Sequence, residues 1–132
     1  MSITKELEER LHQIPVFQKF RFEASNLKEG TATLTAPYDP TYNGIFNCFH
    51  GGLLMTLADT AACAAVLTVA GADAVITTTD MNIRFLAPCR SQVIAEAKII
   101  KVGKTLCPVS VEVRDEQNVP VAVAQVTYMR LR

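Results

Sequence analysis

The stretch from Asn43 to Ala70 constrains this chain more than any other. It reads Asn-Gly-Ile-Phe-Asn-Cys-Phe-His-Gly-Gly and then runs from Leu53 to Ala70 with Asp59 as its sole charged residue. Ala, Leu and Met are strong helix formers, the pair Gly51-Gly52 lets the backbone turn tightly at the start, and Gly71 can take a positive φ past the end. A long helix is predicted, fed by a loop. It is apolar nearly all round, so other structure must cover it on most sides, and Ala58, Ala61, Ala62, Ala64 and Ala65 allow close approach. Its length is borderline for crossing a bilayer, but Asp59 would sit at mid-depth and the surrounding strands need this helix as their core. No membrane association is expected. An ionised carboxylate on a buried helix costs on the order of several kcal/mol unless partnered, which makes Asp59 a candidate for chemistry. The packing alternative is an acid bonded to a neighbouring hydroxyl such as Thr56 or Thr60.

The rest of the chain supplies strands. Near the N-terminus, Ile3, Leu7, Leu11 and Ile14 fall at helical spacing from about Ser2 to Gln13, a short amphipathic helix that Pro15 stops. Val16–Ser25, with Phe20 and Phe22 on one side, and the alternating Thr31–Ala36 read as a hairpin. Tyr38–Gly44 is turn chemistry that excludes regular structure. After the helix, Val75–Leu86 alternates, with Val75, Thr77, Thr79, Met81, Ile83 and Phe85 on one face and Thr78, Asp80, Asn82 and Arg84 on the other. Gln92–Val102, Thr105–Asp115 and Val121–Leu131 follow as strands, joined by turns at Lys101–Lys104 and Asp115–Asn118; Cys107, Val109, Val111 and Val113 share one face. About six mostly antiparallel strands around one helix give an α+β domain, a curved sheet wrapped around a central helix. One sheet cannot enclose a helix that is apolar all round, so at least a homodimer is expected.

The 132 residues fit a single domain spanning 1–132, with about 1–15 as an N-terminal helix. Thirteen basic and thirteen acidic residues cancel, which leaves no global pull towards nucleic acid or an anionic membrane. Glu6, Glu8 and Glu9 interrupt the N-terminal apolar residues, so no secretory signal is read there and a cytoplasmic location is expected. Cys48, Cys63, Cys89 and Cys107 form no Cys-x-x-Cys pair; they read as free thiols acting as small hydrophobes, with no metal site.

A helix N-terminus offers unpaired N–H groups and a positive dipole end, and glycine lets a ligand approach them. Gly51 and Gly52 therefore form a candidate oxyanion hole, although glycines before a helix are also ordinary turn residues. His50 is either a proton-transfer group or a loop histidine bonded to nearby backbone; His12 lies on a surface helix without a role. Asp59 follows Gly51 by eight residues, about 12 Å along the axis at 1.5 Å per residue. That is too far for one carbonyl to touch both. If both serve one reaction they come from different subunits, with antiparallel helices at a two-fold axis.

Asn-Gly-x-x-Asn-x-x-His50-Gly51-Gly52 followed by Leu-Ala-Asp59-Thr-Ala, then Asp80-Met-Asn-Ile-Arg-Phe-Leu-Ala-Pro88 and Lys101-Val-Gly-Lys104-Thr, resembles the hotdog-fold acyl-CoA thioesterases of the phenylacetate-pathway (PaaI-like) type over roughly residues 30 to 130. The resemblance implies a sheet wrapped around a central helix and subunits paired into dimers that often pair again into tetramers. It implies that the Gly51 N–H polarises the thioester carbonyl and that Asp59 of the partner subunit is nucleophile or general base. Thr78 would stand where a hydroxyl orients water or the carboxylate, and His50 would position the loop and its asparagine. The family's asparagine lies six residues before the histidine and a glycine three before; here Gly44 and Asn47 stand there, with Asn43 one place back, so both Asn43 and Asn47 are candidates.

The expected activity is hydrolysis of acyl-CoA, with an aryl or medium to long acyl group, to free acid and coenzyme A. No metal or redox cofactor is implied. The phosphates of coenzyme A need cations, and Arg84, Arg90, Lys101 and Lys104 lie at strand ends and turns that could supply them, with Gly52 and Gly103 as the accompanying backbone positions. The alternatives are a hotdog dehydratase or hydratase, which uses a different His-to-acid arrangement, and a non-catalytic acyl-CoA-binding domain, which would not need Asp59.

Overall fold

The computed structural model describes residues 3–131, so the expected start of the first helix at Ser2 lies outside the described residues. Two helices, α1 (Ile3–His12) and α2 (Pro15–Lys19), lead into strands β1 (Glu23–Lys28) and β2 (Thr31–Ala36). A single 3-10 turn over Pro40–Tyr42 precedes the long helix α3 (Gly51–Ala70), and β3 (Ile76–Phe85), β4 (Val93–Ile99), β5 (Leu106–Asp115) and β6 (Pro120–Arg130) complete one six-stranded sheet. Its order is β1-β2-β4-β5-β6-β3, and every neighbouring pair is antiparallel. Helix α3 packs against all six strands. Six strands span about 24 Å at 4.8 Å spacing, more than twice a helix diameter, so α3 reaches all of them only because the sheet curls round it. This is the expected wrapped architecture.

Ten residues of α3, from Leu53 to Leu67, are buried, and they carry the core with the inward rows of β2, β4, β5 and β6. Cys107, Val109, Val111 and Val113 are among them, as their alternation requires. The helix is long and apolar enough to cross a membrane by length and composition, yet more than half of that segment is buried under the sheet, as a core helix would be. It is not covered all round. Gly52 is exposed and Met55, Thr56, Asp59, Thr60 and Cys63 are half-buried, a stripe at helical spacing that runs beside edge strand β3.

Three expectations are corrected. Val16–Ser25 is not a strand: Pro15 occupies the first position of α2, where proline's missing N–H costs nothing, and strand pairing starts only at Glu23, after Arg21 has turned the chain at φ 56°. Tyr38–Gly44 does contain a regular turn, capped by Asp39, whose Oδ1 accepts from the Thr41 N–H at 3.0 Å and the Thr41 hydroxyl at 2.7 Å. Those hydrogen bonds hold the half-buried Asp39 carboxyl below its usual range.

The third correction changes the site. Strict alternation places Thr78 on the face opposite Met81 and Ile83, but the β3–β6 register shifts between Thr78 and Asp80. The extra residue, Thr79, is a bulge that reverses the alternation. Ile76 and Thr78 are thereby turned to the same side as Met81 and Ile83, towards the helix.

Candidate active site

At the start of α3, His50 is the N-cap: its extended backbone (φ −60°, ψ 132°) breaks the helix, and its Nδ1 accepts the Gly52 N–H at 2.9 Å. The imidazole is therefore the Nε2–H tautomer in this contact. The His50 carbonyl takes the Leu53 and Leu54 N–H groups, at 2.9 and 3.2 Å. Of the first four N–H groups, only that of Gly51 finds no acceptor among the described residues. Gly52 thus serves the cap. A side chain there would meet His50 Nδ1 at 3.0 Å, and one at Gly51 would meet the Phe85 ring at 3.2 Å.

The loop before the helix is tied from two sides. Asn43 bridges to Phe49, its amide Nδ2 donates to the Tyr38 hydroxyl at 2.8 Å, and its Oδ1 is buried without a partner among the described residues. Asn47 sits at the exposed apex with φ 57°. Arg90 grips that apex, with Nε donating to the Asn47 carbonyl at 2.9 Å and Nη2 to the Phe46 carbonyl at 3.2 Å. The grip holds Ile45 and Phe46 out into solvent, 88% and 78% exposed. Between this loop, Gly51 and the end of β3 lies an open groove of about 420 Å³ lined by Phe46, Phe49, Leu54, Phe85 and Leu86.

Two turns further along, Asp59 is half-buried on the uncovered stripe. Thr56 and Thr60 do not bond it; their hydroxyls donate back along the helix to the Gly52 and Thr56 carbonyls, at 2.9 and 2.7 Å. Its partners come from the sheet. The Thr78 hydroxyl donates to Asp59 Oδ1 at 2.9 Å, and the Tyr128 hydroxyl donates to the same Oδ1 at 2.8 Å and to the Asp59 backbone carbonyl at 3.0 Å. Oδ2 accepts nothing among the described residues. Thr78 and Tyr128 are directly opposed across β3 and β6, which is why both hydroxyls reach one oxygen. Burial, first, and then the neighbouring Cys63 and Asp59 push the Tyr128 phenol far above its usual value, so it remains a neutral donor. Burial also pushes Cys63 up to about 11, opposed by a hydrogen bond with Tyr128 and reinforced by the nearby Asp59 carboxylate. The thiol therefore stays protonated at neutral pH.

Tyr128 is absent from the sequence reading. The signal was there: it ends the inward row Ala122, Ala124, Val126 of the last strand, and a buried phenol hydroxyl needs a partner.

The candidate cations divide between the two ends of the sheet. Arg84 and Arg90 lie towards the Phe85 end, Arg84 on the outward face of β3 with Asn82 and Arg90 against the loop before α3. Lys101 and Lys104 are exposed on the β4–β5 turn, which meets the far end of β6: the Arg130 N–H donates to the Thr105 carbonyl at 2.7 Å, and Arg130 pairs with Ile76. From Ile76 to Phe85 is nine residues, about 30 Å of strand. Gly103 has a backbone reason of its own, since a Cβ there would fall 2.1 Å from the Leu106 carbonyl oxygen. All four cysteines are free, with Cys89 and Cys107 buried.

Comparison with known proteins follows the same outline. The sequence profile of the thioesterase superfamily matches residues 46–130. A Saccharolobus solfataricus protein provisionally named an esterase is 29% identical over 101 residues, 76% of this chain and 71% of that one. Among solved structures, a thioesterase family protein from Silicibacter pomeroyi superposes with a TM-score of 0.92 at 21% identity, covering 98% of both chains. The Escherichia coli PaaI protein from the phenylacetic acid degradation operon superposes with a TM-score of 0.88 at 21% identity, covering 99% of this chain and 97% of that one. At these identities the structures establish the shared fold, the hotdog arrangement of sheet around helix.

Proposed function

Because this chain belongs to the thioesterase superfamily, we propose that it hydrolyses acyl-CoA thioesters to the free acid and coenzyme A. The observation that carries the reading is the state of Asp59: its Oδ1 is held by two hydroxyls while Oδ2, on the uncovered face of α3, has no partner among the described residues. The Gly51 N–H, unbonded at the positive end of the same helix, supports a donor to the carbonyl oxygen as charge builds there.

Asp59 and Gly51 lie eight residues apart, about 12 Å along the helix, so one carbonyl between them requires a second subunit. Helix α3 leaves its stripe open beside β3, an edge strand of ten residues. A two-fold partner covering both would bring the partner subunit's Asp59 to Gly51, and we propose a homodimer of this kind, paired again into a tetramer. The divided cations are consistent with it, because Lys101 and Lys104 would then travel with Asp59 towards Arg90 and the Gly51 end of the other subunit. In the reaction, Asp59 Oδ2 either takes a proton from the attacking water and passes it to the coenzyme A thiolate as the C–S bond breaks, or attacks the carbonyl itself, expelling the thiolate and forming a mixed anhydride that water then hydrolyses to the free acid and the restored carboxylate, the proton released from that water going to the thiolate. The apolar groove beside Gly51 suits an aryl or medium to long acyl group. Free cysteines and a coenzyme A substrate favour a cytoplasmic location.

The esterase name of the archaeal relative favours a second reading, a general esterase. A panel of acyl-CoAs assayed for thiol release, beside oxygen esters of the same acids, separates the two. With one identified backbone donor the site depends on an activated carbonyl and a good leaving group, so kcat/KM for the thioester should exceed that for the oxygen ester at least about a hundredfold. Equal rates would establish the esterase instead.

A further inference from the structure

Asp59 is held more closely by Tyr128 than by Thr78, and Tyr128 has no assigned part in any activity. We infer that Tyr128 is a positioning residue which, with Thr78, clamps Asp59 Oδ1 and leaves Oδ2 as the oxygen that meets water or substrate; the inference rests on the hydrolysis proposed above. Three observations carry it. Both hydroxyls fall on the same oxygen, at 2.8 and 2.9 Å, and neither touches Oδ2. The Tyr128 hydroxyl also reaches the Asp59 backbone carbonyl at 3.0 Å, so one group ties the side chain to its own main chain and fixes its torsions. Tyr128 is only 5% exposed, its ring packed in the core, and the hydroxyl cannot turn away to water.

The arrangement depends on the bulge at Thr79. Without it Thr78 would face outward and the clamp would have one jaw. A tyrosine that merely satisfied its own hydroxyl would be content with the backbone carbonyl; contact with the carboxylate couples it to the reacting group. A carboxylate so held approaches the thioester in one orientation, which contributes to rate without contributing to substrate affinity.

The test is Tyr128→Phe, which keeps the ring and deletes the hydroxyl, measured with Thr78→Val and the double variant on the best acyl-CoA. Each single variant should lower kcat about tenfold with KM within about twofold, and the double should lose more than the product of the two, because each single still leaves one jaw. Thermal melts give an independent readout. Tyr128→Phe should lower the melting temperature by about 3 °C in the otherwise unchanged protein and by clearly less in an Asp59→Ala background, where only the backbone carbonyl remains to accept. Unchanged kcat in Tyr128→Phe, or in Thr78→Val should the former fail to fold, overturns the clamp. Additive melting shifts overturn it as well. If the wild-type protein released no thiol from any acyl-CoA, the functional reading and the catalytic half of the clamp would fall together, while the melt cycle would still decide whether Tyr128 holds the carboxylate.

Discussion

At the start of α3 the groups that shape the site are neighbours in sequence: His50 accepts a hydrogen bond from Gly52, two residues on. At Asp59 they come from 19 and 69 positions away, on two different strands. The first arrangement is what any helix start with a capping side chain and glycines will form, and it presents a backbone donor that needs no aiming beyond the direction of the helix. The second exists only when β3 and β6 are in register and the bulge at Thr79 is in place. A donor can be built locally because the peptide group is rigid; a carboxylate with two free torsions has to be held by tertiary structure.

The sharpest way to break this comparison is at the carboxylate. Asp59→Ala should cut kcat by at least about a thousandfold, and Asp59→Asn nearly as much, with the fold retained by circular dichroism, since the change removes the nucleophile or base and a half-buried charge. Near-normal turnover in both folded variants would refute the catalytic role of Asp59 and place the base or nucleophile elsewhere; a wild-type protein that binds acyl-CoA without releasing thiol would be the non-catalytic acyl-CoA-binding domain.

The helix start can be attacked without unfolding it. Gly51 is the first helical residue and His50 before it is already extended, so the backbone accepts Gly51→Pro once the half-exposed Phe85 ring, 3.2 Å from the new Cβ, shifts by a few tenths of an ångström, and the change deletes an N–H that has no acceptor among the described residues. It should cost about a hundredfold in kcat if that N–H polarises the carbonyl. Mixing Gly51→Pro with Asp59→Ala then tests the division between subunits: a mixed dimer has one site with both defects and one with neither, and should recover up to half the activity of a wild-type dimer. Mass-verified exchange with no recovery, each parent variant being folded, would place both groups in one subunit's site.

A smaller effect is expected from the loop. Arg90→Ala releases the Asn47 and Phe46 carbonyls, loosening the Ile45–Phe46 segment over the groove. KM for apolar acyl-CoAs should rise several-fold, roughly 1 kcal/mol, with kcat little changed. An equal loss in kcat would mean that the loop also orients the carbonyl.

The effect on turnover is least at Cys63, which acts on stability and only at alkaline pH. Its pKa is raised from 9.0 to about 11, so the folded thiol stays protonated where the unfolded one ionises. That contribution is present in full below pH 9 and drains away as pH rises towards 11, about 3 kcal/mol in all. Cys63→Ala should therefore lose less stability than the wild type between pH 9 and 11 in melts taken at matched ionic strength. Parallel pH profiles for the two proteins would show that the thiol is not held protonated by the fold.

Much of this protein is written locally. The run from Gly51 to Ala70 is a helix because its residues favour one and its glycines mark the ends, and it is central because its apolar surface has to be covered. Alternation likewise identifies the inward row of β5 and the number of strands. Asp59 stands out as the one charge in that helix, and the proposal of a site shared between subunits follows from helix rise. What the sequence misleads on is equally local in cause: Pro15 reads as a stop, although proline at a first helical position also starts one, and Val16–Ser25 is consequently taken for a strand. The bulge at Thr79 was not legible, because an extra residue in one strand is defined by pairing with another strand, and strict period-two reading puts Thr78 on the wrong side. Tyr128 could be placed in the core from its alternation, but its hydroxyl's partner could not. That partner lies 69 residues away, and only the curl of the sheet around the helix, set by packing and strand register together, brings phenol, threonine and carboxylate to one point.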